Sequence, residues 1–137
     1  MVRRFTIRVI VGLFLVFIYS CNNNNKVNCD ECSENFENIE LKLFFSINYK
    51  YPKVIFYLYE GNVDNGKLIY SDTTNLKQYN IKVKKSKYFS VKALYVGIKG
   101  DSIKVINGTR VSIKNYSDYC ENEDCWMVSN NCINAKF

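Results

Sequence analysis

The chain has 137 residues, so one domain is the starting expectation, and 47% of its residues are apolar, with Tyr and Phe filling 20 positions. That composition can close a hydrophobic core and excludes a disordered chain. The net charge is +6, an ordinary basic balance, and histidine is absent, which excludes Ser-His and Cys-His nucleophiles, histidine-ligated zinc and histidine general bases together.

In chain order, residues 1–8 carry Arg3, Arg4 and Arg8 and no acid, residues 9–19 are apolar apart from Gly12, and Ser20 precedes Cys21. A basic start, a short apolar stretch and a small residue at its end are the parts of a secretory signal. The stretch is shorter than the roughly 20 apolar residues of a membrane-spanning helix. Ile18-Tyr19-Ser20-Cys21 resembles the lipobox of bacterial lipoproteins: aliphatic, variable, small, then the acceptor cysteine. The resemblance implies that residues 1–20 are a cleaved signal helix and that Cys21 carries lipid. It also implies that acyl chains hold the product to a membrane, each buried methylene contributing about 0.8 kcal/mol. Losing three arginines leaves 16 basic and 13 acidic side chains, which removes most of the case for a nucleic-acid partner. Residues 21–39, opening with Asn22-Asn23-Asn24-Asn25-Lys26, read as the lipidated cysteine and a flexible tether.

From residue 40 to residue 137 the apolar period is two, which predicts strands. Leu41, Leu43, Phe45, Ile47 and Tyr49 alternate with polar residues, interrupted only by Phe44, and Tyr51-Pro52 breaks the ladder. Lys53–Glu60 (KVIFYLYE) places Val54, Phe56 and Leu58 on one face, and a turn at residues 61–66 leads to a short strand at Leu68-Ile69-Tyr70. Tyr79, Ile81 and Val83, and then Phe89, Val91, Ala93 and Tyr95, mark two further strands. Ile103-Lys104-Val105-Ile106 is flanked by Gly100-Asp101 and Asn107-Gly108, both of which read as turns. Val111 with Ile113, Trp126 with Val128, and Ile133 with Ala135 complete the pattern, with a turn at Asn130-Asn131. About seven short strands, nine at most, spaced by turn signals predict an all-β antiparallel sandwich.

Residues 59–74 (YEGNVDNGKLIYSDTT), the run YNIKVKKSKYFSVKALY and the Cys120-x4-Cys125-Trp126 segment resemble small Ig-like lipoproteins of Gram-negative envelopes. They are similar as well to the transthyretin-like, carboxypeptidase-regulatory sandwiches. The likeness implies an Ig-like or transthyretin-like fold and an envelope location, and no activity.

Five cysteines follow Cys21: Cys29, Cys32, Cys120, Cys125 and Cys132. In an exported chain disulfides are the default, and five thiols leave many connectivities open. The expected pairing is Cys120 with Cys125 around a short acidic loop, worth about 2 kcal/mol in the chain-entropy model, plus Cys132 with Cys29 or Cys32. A four-thiolate zinc site from Cys29, Cys32, Cys120 and Cys125 is the competing use, and a Cys29-x2-Cys32 redox pair a third; the acids beside that pair would raise a thiol pKa. No metal and no cofactor is expected.

Asn62, Asp64 and Gly66 have calcium-loop spacing, but Thr73 stands where the bidentate Glu is required. Glu121, Glu123 and Asp124 crowd one small loop, with no sign of the buried, pKa-raised acid a glycosidase pair needs. No catalytic residue is assigned, and the expectation is not an enzyme.

Binding candidates are Tyr57, Tyr59 and Trp126, because aromatics supply contact area at low entropy cost, and Lys82 and Lys84, which suit anionic polymers or headgroups. Lys82 and Lys84 also fit the solvated face of an edge strand. The expected task is that of a non-catalytic binding or structural module, lipid-anchored in the cell envelope at the outer membrane, with either face open. Its partners are the membrane and an envelope protein or polysaccharide. The alternative is a carbohydrate-binding accessory lipoprotein that stacks sugars on exposed aromatics.

Overall fold

The computed structural model describes residues 29–32, 37–121 and 124–137. The expected signal segment 1–20, Cys21 and the start of the tether lie outside the described residues.

The period-two segments form strands, the first running only to Phe44 so that Phe45, Ile47 and Tyr49 lie in the connection after it, and the described residues are all-β as the pattern predicts. Among the described residues a 3-10 turn at Cys29–Glu31 precedes β1 (Asn38–Phe44), β2 (Lys53–Glu60), β3 (Lys67–Thr74), β4 (Gln78–Lys84), β5 (Tyr88–Val96), β6 (Ser102–Arg110), β7 (Ser112–Asn115), β8 (Trp126–Ser129) and β9 (Cys132–Asn134). One sheet has the order β4-β1-β9, a second the order β3-β2-β5-β6, and β7 with β8 forms a separate ribbon. β1 is antiparallel to β4 and parallel to β9. An immunoglobulin sandwich keeps its first strand in one sheet with the second, fourth and fifth. Here the first strand instead joins the fourth and the last, a different strand order.

The alternation carries the inward faces. Ile39, Leu41 and Leu43 of β1 meet Val54, Phe56 and Leu58 of β2 and Phe89, Val91, Ala93 and Tyr95 of β5 in one core, closed by Val83 and Ile133. Full burial of such a side chain contributes about 1.5–3 kcal/mol relative to exposure. The core, both sheets and both disulfides described below join the described residues of 29–137 into one folded unit.

Register fixes which loops share an end. Phe44 pairs with Gln78 and with Asn134, Val54 with Thr74, and Lys53 with Val96, which in turn pairs with Ser102. The β1–β2, β3–β4 and β5–β6 connections and residues 135–137 therefore gather at one end of the sandwich. Asn38 opposite Lys84, Glu60 opposite Lys67 and Tyr88 opposite Arg110 mark the other end, where the chain arrives from the cysteine turn and leaves for the ribbon.

Beyond the parallel β1–β9 pair in a sandwich expected to be antiparallel, three expectations are corrected. Asn107-Gly108 is not a turn but lies inside β6, with Gly108 opposite Ser90. Glycine is required there by close approach: a Cβ would run into the Tyr88 hydroxyl and come within 2.9 Å of the Phe89 carbonyl oxygen. The third strand is Lys67–Thr74 rather than a short one, since its polar end continues to pair with β2 after a bulge at Leu58/Tyr59.

The third correction is the cysteine pairing. Cys120 is joined to Cys29 and Cys125 to Cys32, with Cα–Cα distances of 5.6 and 4.7 Å. Cys120 is not bonded to Cys125, and Cys132 takes part in neither bridge. Nearness in sequence favours the short loop, but the fold returns the N-terminal turn to the ribbon's tip. Each cysteine there then closes about ninety residues instead of six, which constrains the unfolded chain far more. Residues 29–32 are thereby part of the folded unit, not a free tether.

Candidate functional site

The solvent-facing side of β3-β2-β5-β6 is built by the residues that alternate with the core. Register arranges it in rows across the four strands: Leu68, Tyr59, Ser90, Gly108; then Ser71, Tyr57, Lys92, Ile106; then Thr73, Ile55, Leu94, Lys104. Tyr57 and Tyr59 are half-buried neighbours on this face, and the half-buried Tyr88 lies on the same side of β5. Leu68 and Ile106 are 49% and 53% exposed at its two flanks. The Lys92 ammonium stands 4.8 Å over the Tyr57 ring, a cation–π contact that occupies one ring face. Ser90 donates its hydroxyl hydrogen to the Gly61 carbonyl, 2.5 Å, which ties the β2–β3 turn under the row of Tyr59.

The other expected binding residues are not brought to this face. Trp126 is half-buried on the ribbon, opposite Asn115. Lys82 and Lys84 are exposed on β4, the outer strand of its sheet, opposite Glu40 and Asn38. Asn80, two residues along the same strand, donates from its amide to Glu40 Oε1 at 2.7 Å. β4 is thus an edge whose polar face is solvated, the arrangement that discourages strand addition.

Alternation also hid a side-chain cluster that closes the gap between the sheets. The Tyr79 hydroxyl from β4 donates to Asp72 Oδ2 on β3 at 2.8 Å and meets the Tyr70 hydroxyl at 2.7 Å, while both rings pack on Phe56. Hydrogen bonding to Tyr70 first, and then to Asp72, pushes the Tyr79 phenol well up. Donation by Tyr79, then by the Thr73 amide, pulls the Asp72 carboxyl down. A phenol that keeps its proton beside a carboxylate that keeps its charge works as a latch between β3 and β4. Reading it from sequence would have required knowing that those two strands face each other across the core.

The cysteine cluster is the last grouping. The sulfurs of Cys32, Cys120 and Cys125 lie within 4.8 Å of one another. That convergence is what the four-thiolate alternative would need, but in the structure these sulfurs are spent in two disulfides. A zinc site requires thiolates. The two ends of the adjoining loop are tied together: the Tyr116 amide donates to the Cys125 carbonyl at 2.7 Å and the Cys125 amide to Ser117 Oγ at 3.1 Å.

In comparisons with protein-family models, curated proteins and solved structures, nothing matches this chain.

Proposed function

We propose that the chain is the precursor of a lipid-anchored envelope lipoprotein whose sandwich serves as a non-catalytic binding or structural module. The observation that carries the reading is the coincidence of an export-type start ending at Ser20-Cys21 with two long-range disulfides in the domain behind it. Disulfides persist in oxidising compartments, which is where a signal of this type delivers its cargo. Lipid on Cys21 would leave residues 22–28 between the anchor and the first bridged cysteine.

The test is palmitate labelling of cells making the full chain, with intact mass of the mature form. Labelled protein beginning at Cys21, and loss of label in Cys21→Ala, is the expected result. An unlabelled chain that keeps residues 1–20 would overturn the reading.

One observation favours the carbohydrate-binding alternative: Tyr57, Tyr59 and Tyr88 share one open face with Leu68 and Ile106. Stacking on these rings predicts tyrosine fluorescence changes on a glycan panel that Tyr59→Ala removes. Lys92 over Tyr57 makes Tyr59 the better platform. Responses unchanged in that variant, or absent at millimolar glycan, would defeat the alternative.

A further inference from the structure

The end of the sandwich away from the cysteine turn carries a repeated pattern. Each of its three loops exposes an apolar side chain followed directly by lysine: Tyr49-Lys50, Leu76-Lys77 and Ile98-Lys99. Tyr49 is 88% exposed, Leu76 55% and Ile98 65%. The loops are held together. The Phe45 amide donates to the Lys77 carbonyl at 2.9 Å, and the Ile98 amide to the Lys50 carbonyl at 3.1 Å. The Phe137 amide donates to Ser46 Oγ at 3.2 Å, bringing in the segment of Lys136.

The charge at this end is one-sided. Asp101 is the single acidic side chain in these loops; it accepts from the Tyr51 hydroxyl at 2.5 Å and pairs with Lys50 at 3.3 Å. Lys53, Lys77, Lys99 and Lys136 remain, all exposed. The opposite end is mixed, with Glu37, Glu60 and Asp64 among its lysines.

We propose that this loop end is a membrane-docking surface that inserts Tyr49, Leu76 and Ile98 into the interface of an anionic bilayer while the neighbouring lysines meet lipid phosphates. Apolar tips on separate loops suit a surface that deforms around each one. A protein partner would instead need matched shape over about 800 Å². Tyrosine is at home at the headgroup level, lysine stems lie along apolar surface with the ammonium outward, and basic residues near an anionic leaflet add to the attraction. The proposal does not depend on lipid at Cys21.

The experiment uses residues 29–137, oxidised, which lack Cys21, so acylation cannot contribute to the result. Co-sedimentation is measured with vesicles of phosphatidylcholine alone and of phosphatidylcholine with phosphatidylglycerol. Binding is expected to the anionic vesicles, weakening as salt screens it. Lys77→Gln and Lys99→Gln should each lower it about fivefold, the ratio equivalent to about 1 kcal/mol per basic side chain. Leu76→Asn with Ile98→Asn should lower it roughly tenfold or more with unchanged thermal unfolding, since both side chains are already outside the core. Equal binding to both vesicle types, no binding to either, or Leu76→Asn/Ile98→Asn binding like the parent would overturn the proposal. Capture by soluble polyglutamate without vesicle binding would overturn it too, in favour of an acidic polymer.

Discussion

Tyr95 is fully buried, and its hydroxyl is nevertheless satisfied twice. It donates to the Ala135 carbonyl at 2.6 Å and accepts from the Ser46 amide at 3.0 Å, joining β5 to the segment after β9 and to the loop after β1. Tyr95→Phe leaves both backbone groups without that partner, so a loss of about 2–3 kcal/mol is expected in urea unfolding; a loss under half a unit would mean water replaces the hydroxyl. Asp101 belongs to a different regime because it is partly exposed. The Tyr51 hydroxyl, followed by Lys50, holds its carboxyl below the usual range. A folded pKa below the unfolded one stabilises above about pH 4 and fades as pH falls through the lowered value. Asp101→Asn should therefore lower the thermal midpoint slightly at neutral pH, the two profiles converging as pH falls, so that part of the acid limb is flattened. A profile that falls as steeply as the parent's would show the contact to be idle. Gly108 shows where single residues mislead. Next to Asn107 it carries a strong hairpin signal, yet the space it leaves is for Tyr88, a neighbour no local pattern announces.

Strands were legible because their periodicity is local: the buried sets of β1, β2 and β5 follow the alternation residue by residue. Strand order was not, since β1 lies between partners about forty and ninety residues away. The edge position of β4 gives its lysines a testable duty. Lys82→Ile with Lys84→Val should leave monomer stability nearly unchanged while promoting self-association, read by light scattering against concentration. A variant that stays monomeric would show that the edge is protected otherwise. The disulfides follow the same logic of distance. Each closes a loop of about ninety residues, worth about 4–5 kcal/mol alone. Once one is made, the second closes only a few residues more, for roughly 2–3 kcal/mol. Losing the Cys32–Cys125 pair to serine should thus cost about 2–3 kcal/mol, and reducing both bridges about 7 kcal/mol. Non-reducing peptide mapping that finds Cys120 bonded to Cys125 would refute the arrangement itself.

The two ends of the sandwich differ in composition, and that difference was invisible in the chain because it assembles residues from four separate stretches. Tyr57 and Tyr59 could be picked out by their alternation with Phe56 and Leu58, but their row partners Leu68, Lys92 and Ile106 come from other strands. The bridged cysteine turn has a mechanical consequence. A pull on the chain ahead of Cys29 enters the fold at that residue and is handed across the sulfur bridge to Cys120, and from Cys32 to Cys125. The load path leaves the chain at the bridged cysteines, ahead of the first strand, so β1 is not unzipped from β4 and β9 by traction from that side. In an oxidised molecule the traction falls on covalent bonds and the β7–β8 ribbon. Reduction moves it to a row of hydrogen bonds, and the rupture force in single-molecule stretching from residue 29 should fall accordingly.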